Sequence, residues 1–173
     1  AYVGGLLGEN SGNLTNSRSM VSIMSYVNMA GLVGVNSGKI ASSCYKEGYL
    51  NNQTNTTNEY TAGLVVNNTG KIYTSYVSGT ASASSMYYMG SSDYVKSNNN
   101  VSGFVYSNAG EISDCYSNIK INQSGKFASG FVYDNSGKIN KCFSTSVLEN
   151  NKTSNYGFAR MNREDGKIDN CFY

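Results

Sequence analysis

A chain of 173 residues has room for one domain or one short repeat array. Only 14% of the residues are charged and the net charge is +2, so nothing electrostatic points to nucleic acid or an acidic membrane surface as a partner. There is no His, which removes Ser–His and Cys–His nucleophile activation from this chain and takes away a leading metal ligand.

From the N-terminus onward the sequence repeats itself. GLLGENSGNL begins at Gly5, GLVGVNSGKI at Gly31, GLVVNNTGKI at Gly63, GFVYSNAGEI at Gly103 and GFVYDNSGKI at Gly130. A looser copy with two extra residues, GFARMNREDGKI, begins at Gly157. The spacings are 26, 32, 40, 27 and 27 residues, a base period near 27 with longer loops expected over 46–60 and 77–101. The whole chain, 1–173, therefore reads as a single repeat array.

Each copy supplies two apolar residues, a polar turn, Gly, a usually charged residue and then Ile or Leu. Short apolar segments bounded by turn residues are strand material, and no sustained apolar period of 3.6 supports a helix. The turn glycines are Gly12, Gly38, Gly70, Gly110, Gly137 and Gly166, five of them closing an Asn-x-Gly turn. Their recurrence predicts a left-handed backbone at that position. One copy alone has too little apolar surface for a core. Stacked copies would bury Leu6, Leu32, Leu64, Phe104, Phe131 and Phe158 in one column, and Leu14, Ile40, Ile72, Ile112, Ile139 and Ile168 in another. The expected fold is all-β: a parallel β-solenoid (β-helix) of about six coils, right-handed by the crossover rule and roughly 29 Å long at about 4.8 Å per coil.

The pattern Gly, Leu or Phe, Val, two variable positions, Asn, one variable, Gly, one variable, Ile, two variable, Ser, Tyr resembles the GLUG repeat of bacterial surface proteins, including IgA-peptidase-like and adhesin-like molecules. The resemblance covers nearly the whole chain outside the two long loops. The sixth copy departs by its insertion, and the third has Val66 where the second has Gly34. The resemblance implies a surface-exposed, repetitive accessory region and brings no catalytic or cofactor-binding residues with it.

Candidate sites are few. Cys115, Cys142 and Cys171 share one repeat position, which holds Ser17, Ser43 and Ser75 in the first three copies. The favoured reading is a column of buried free thiols, over a bridge between neighbouring coils, and the set lacks the four converging ligands of a structural zinc site. No metal or cofactor is expected. Lys39, Lys71, Glu111, Lys138 and Lys167 would form an outward line, either a solvated face or a strip for acidic glycans. Glu111, Asp114 and Asp134 would face one groove if this were a polysaccharide-cleaving β-helix. In that reading Tyr87, Tyr88 and Tyr94 of the second long loop would supply a sugar platform.

No apolar run is long enough to span a bilayer as a helix, so membrane insertion is not expected. The chain opens on AYVGG without a Met and closes on CFY, both inside repeat-like sequence, so a segment of a longer or processed protein is expected. The reading that follows is an extracellular or cell-surface structural segment (stalk, filament or adhesin region) without catalysis. Its partners would be adjacent repeats of the same polypeptide or other copies of itself, head to tail. The alternative is a β-helix that binds or cleaves surface glycans.

Overall fold

The computed structural model describes residues 1–52, 59–78, 94–97, 100–123, 127–149 and 154–173, with backbone alone over 94–97 and 122–123. It is an all-β parallel solenoid. Five sheets of 6, 5, 6, 6 and 5 strands run along it, and every pairing joins a strand to its counterpart one coil away.

The first sheet stacks Tyr2–Gly4, Asn28–Ala30, Tyr60–Ala62, Asn100–Ser102, Phe127–Ser129 and Ser154–Tyr156. The second stacks Leu7–Asn10, Val33–Asn36, Val65–Asn68, Val105–Asn108, Val132–Asn135 and Ala159–Asn162. The third holds Asn13–Thr15, Lys39–Ala41, Lys71–Tyr73, Glu111–Ser113, Lys138–Asn140 and Lys167–Asp169. The fourth holds Arg18–Ser19, Cys44–Lys46, Tyr76–Ser78, Tyr116–Asn118 and Phe143–Ser144, continued by a single bridge from Phe143 to Phe172. The fifth holds Ile23–Ser25, Tyr49–Asn52, Tyr94–Ser97, Lys120–Gln123 and Val147–Glu149. Five coils thus carry five strands each, and the sixth carries three strands and the bridge.

The stretches expected as long loops contain strands. Tyr49–Asn52 lies within 46–60, and Tyr76–Ser78, Tyr94–Ser97 and the start of Asn100–Ser102 overlap 77–101. The sequence pattern did not mark this fifth strand position, because it carries no fixed glycine or asparagine and its aliphatic residues, Ile23, Leu50, Val95, Ile121 and Leu148, recur at unequal spacings.

Apolar columns fill the interior. Leu32, Leu64, Phe104 and Phe131 are fully buried, and the Phe104, Phe131 and Phe158 rings stack at 4.6 and 4.7 Å. Ile40, Ile72, Ile112 and Ile139 form the facing column in register. Burying one such side chain is worth about 1.5–3 kcal/mol. The end coils differ. Leu6, expected in the buried column, is 46% exposed, while Leu14, Phe158 and Ile168 are half-buried against the core. A side chain within the stack is covered from both sides by neighbouring coils, and in the first and last of these six coils only one of the six covers it.

The expected left-handed glycines are a correction. Among the described residues no glycine has positive φ. The left-handed position falls instead on Asn16, Ser42, Thr74, Asp114, Lys141 and Asn170, with φ between 45° and 55°, at the corner between the third and fourth sheets. All six are exposed. The turn glycines are required by space. A Cβ on Gly38, Gly70, Gly110 or Gly137 would collide with the carbonyl oxygen of the glycine one coil earlier, whereas Gly12, in the first coil, meets nothing. Parallel coils spaced for strand pairing bring these glycine backbones too close together for a side chain.

Candidate functional site

The Asn-x-Gly turn at the end of the second sheet organises the molecule's buried polar chemistry. The side chains of Asn10, Asn36, Asn68, Asn108, Asn135 and Asn162 form an unbroken ladder. From Asn10 to Asn135, each Nδ2 donates to the Oδ1 of the next coil's asparagine at 2.7–2.8 Å. Each of the six also donates to the carbonyl of its own turn glycine, at 3.0–3.4 Å. Asn36, Asn68, Asn108 and Asn135 are essentially inaccessible to solvent. A buried amide left unpaired is costly, so the ladder's repetition is a requirement of burial.

Outside this turn runs a lengthwise groove of about 720 Å³. Its floor is the stacked glycine backbones from Gly12 to Gly137. Ser11, Ser37, Thr69 and Ser136 form one wall, and Lys39, Lys71, Glu111 and Lys138 form the other. The third-sheet register places Lys39, Lys71, Glu111, Lys138 and Lys167 in a single line, as the spacing predicts. Glu111 bridges Lys71 at 3.2 Å and Lys138 at 3.9 Å, and that hydrogen bond holds the Lys71 ammonium above its ordinary pKa. These pairs are exposed and contribute little stability. The arrangement presents hydroxyls and ammonium groups at coil spacing along an open trough.

The three candidate carboxylates are not brought together. Glu111 lines the groove, Asp114 sits exposed at the left-handed corner beyond it, and Asp134 lies on the outer side of the second sheet in a bidentate pair with Arg163, 2.7 Å from Oδ1 to Nε. A carboxylate pair flanking one substrate is therefore not formed by these residues. Tyr87 and Tyr88 lie outside the described residues, and Tyr94 is described only as backbone in the fifth sheet.

No protein-family model matches this chain, and neither a curated protein nor a solved structure matches it.

All four cysteines are free. Cys115 and Cys142 are buried in one column, with Cys171 partly covered at its end, and Cys44 stands apart, paired in register with Tyr76. The column works the same way with either residue type. Ser17, Ser43 and Ser75 donate to the carbonyl two residues back, at 2.7–2.9 Å, and Cys115, Cys142 and Cys171 do so at 3.0–3.2 Å. The thiols also contact one another. Hydrogen bonding with Cys115, reinforced by burial, pushes the Cys142 thiol up to about 12, and hydrogen bonding with Cys142 raises Cys171. Such thiols stay protonated and are poor nucleophiles.

Two aromatic ladders were not legible as such. Tyr76, Tyr116 and Phe143 stack along the outside of the fourth sheet at 4.9 and 5.1 Å. Tyr60, Tyr106 and Tyr133 stack at 4.1 and 4.4 Å in the angle between the first and second sheets, where the Arg160 guanidinium lies 4.7 Å over Tyr133 and 4.0 Å over Phe127. Burial raises the Tyr106 hydroxyl pKa. The signal for the first was the position after the recurring Ser or Cys, which reads Arg18, Cys44, Tyr76, Tyr116, Phe143 and Phe172, and for the second the position after the apolar pair, which reads Gly8, Gly34, Val66, Tyr106, Tyr133 and Arg160. In the early coils that lane is occupied by Tyr2, whose Cβ lies beside Gly34 and whose hydroxyl accepts from Asn67 Nδ2 at 2.8 Å.

Proposed function

We propose that this chain is a structural repeat segment of the GLUG type: a stalk, filament or adhesin region outside the cell, with no catalysis of its own. The observation that carries the reading is the asparagine ladder running in register through all six coils. It commits the repeat's one invariant buried polar group to joining coil to coil. A segment of this design is a short rigid rod whose length is set by its number of coils.

The test is an end-to-end distance. Spin labels at Ser11→Cys and Asp165→Cys, both exposed and five coil spacings apart, should give a narrow distribution centred near ~24 Å at about 4.8 Å per coil. A broad distribution would remove the rod reading.

A second reading, glycan binding, is favoured by the groove with its hydroxyl and lysine walls. Calorimetry with oligouronates decides between the two. Saturable binding that is abolished by Lys71→Ala and Lys138→Ala would put this second reading first.

A further inference from the structure

We propose that the cysteine column is a linear binding site for soft monovalent metal ions of the Cu(I) class, one ion held between Cys115 and Cys142 and a second between Cys142 and Cys171. The site is separate from the groove, and it stands whether or not the rod reading above holds.

The fourth-sheet register sets Cys115, Cys142 and Cys171 over one another, each one residue before a member of the outer aromatic ladder. Each sulfur is fixed in the same place in its coil, because each thiol donates to the carbonyl two residues back across a left-handed corner residue. The sulfurs therefore follow the coil spacing of about 4.8 Å. A disulfide needs about 2.05 Å between its sulfurs, far less than the stack provides. Two metal–sulfur bonds of about 2.3 Å laid end to end span about 4.6 Å, which the stack already supplies. Among the described residues no three His, Cys, Asp or Glu side chains are grouped to hold an ion, so a tetrahedral zinc lacks ligands here. A two-coordinate ion needs only the sulfurs of two neighbouring coils.

The surroundings suit a sulfur bound to metal. The Ser75 amide donates to Cys115 Sγ at 3.5 Å, as the Ser17 and Ser43 amides donate to Ser43 and Ser75 Oγ at 3.2 Å. The Cys115 and Cys142 amides stand in the same relation to the sulfurs of Cys142 and Cys171. Each sulfur thus keeps a hydrogen-bond donor when its own proton is displaced, the outer support that tunes a metal ligand. The carbonyls that the thiols leave are not stranded. Ser113, Asn140 and Asp169 O also accept from the amides of Thr74, Asp114 and Lys141 at 3.1–3.2 Å. Cys115 and Cys142 are 1% exposed within the apolar core, and Cys171 packs against it. A dry, all-sulfur site selects a soft cation over hydrated oxygen-seeking ions. Three thiols that take up two monovalent ions and release two protons leave the column neutral, so no net charge is buried. The ions have a short way in, since each sulfur is one residue from the exposed corner at Asp114, Lys141 or Asn170.

The test is a titration of the full chain, thiols reduced, with Cu(I) supplied as its bicinchoninate complex under ascorbate without oxygen. The chain should withdraw two ions from the chelator, and X-ray absorption should find two sulfur neighbours per copper with no nitrogen or oxygen. Binding to the folded chain should raise its melting temperature. Cys142→Ser, at the centre of the column, should abolish uptake of both ions, and Cys115→Ser should abolish one. Cys44→Ser, outside the column, should change nothing. Serine fills this position at Ser17, Ser43 and Ser75, so these variants should keep the wild-type circular dichroism. Ser75→Cys lengthens the column to four sulfurs and should add a third ion, which keeps the test decisive even if Cys142→Ser does not fold. No copper taken from the chelator, a copper with nitrogen or oxygen neighbours, uptake that Cys142→Ser leaves unchanged, or no gain with Ser75→Cys would each overturn the proposal.

Discussion

Asn108→Ala probes the ladder at its most buried point. Asn108 accepts from Asn68 Nδ2 at 2.7 Å and donates to Asn135 Oδ1 at 2.8 Å and to the Gly110 carbonyl at 3.4 Å. The Gly110 carbonyl keeps a second partner, the Lys138 amide at 2.9 Å. Two buried groups are therefore stranded, an Asn68 hydrogen and the Asn135 oxygen. At about 1–3 kcal/mol for each unsatisfied buried group, the loss is about 2–6 kcal/mol, a large part of a domain's stability. Asn10→Ala strands only Asn36 Oδ1 and should cost about 1–3 kcal/mol. Asn108→Asp preserves shape but replaces both donated bonds with oxygen–oxygen contacts, so it should be at least as damaging as Asn108→Ala. Urea unfolding followed by circular dichroism and tyrosine fluorescence reads these differences. A loss under about 1 kcal/mol for Asn108→Ala, or one no larger than that of Asn10→Ala, would refute the account of the ladder.

Gly110→Ala should destabilise by about 1–3 kcal/mol through its collision with the Gly70 carbonyl, whereas Gly12→Ala, which meets nothing and has no positive φ, should be neutral or stabilising; equal effects in thermal melts would contradict the steric explanation. Lys141→Gly removes a side chain from a left-handed position and should raise the urea midpoint, and a lower midpoint would show that φ 52° carries no strain there. The raised Cys142 thiol favours the fold while protonated. Its contribution is complete below the unfolded thiol's ordinary pKa near 9 and is lost as pH rises toward about 12, so Cys142→Ser should reduce the alkaline loss of stability over that window in pH-dependent melts. A screen against uronate-rich and neutral polysaccharides should show no turnover, and turnover abolished by Asp114→Asn or Asp134→Asn would overturn the structural reading.

Much of the fold was legible because the repeat fixes which residues stack: once Gly31, Leu32 and Ile40 recur at one period, the register of three sheets follows. The fifth sheet was not legible. Ile23, Leu50, Ile121 and Leu148 face the core there without a glycine or asparagine marker, between insertions of unequal length. Asn10 and its counterparts were visible as turn residues, yet turn propensity alone does not reveal that their side chains point inward and bond to one another. The glycines were misread for a related reason. Composition shows that a Cβ is excluded, but whether φ or a neighbouring carbonyl excludes it depends on the coil above. Arg160 and the tyrosine ladder behind it were hidden because their position changes from Gly to Val to Tyr to Arg along the chain, so that no single copy defines it.

Pulling the chain by its two ends tests the central claim most directly: that this is a rod of coils, each held by its neighbours. The account predicts stepwise extension, with steps of about 90 Å for the 27-residue coils at about 3.3–3.6 Å per residue and the longest step from the coil beginning at Gly63, whose repeat spans 40 residues. A smooth, featureless extension, or release of the whole chain in steps unrelated to the coil lengths, would contradict it.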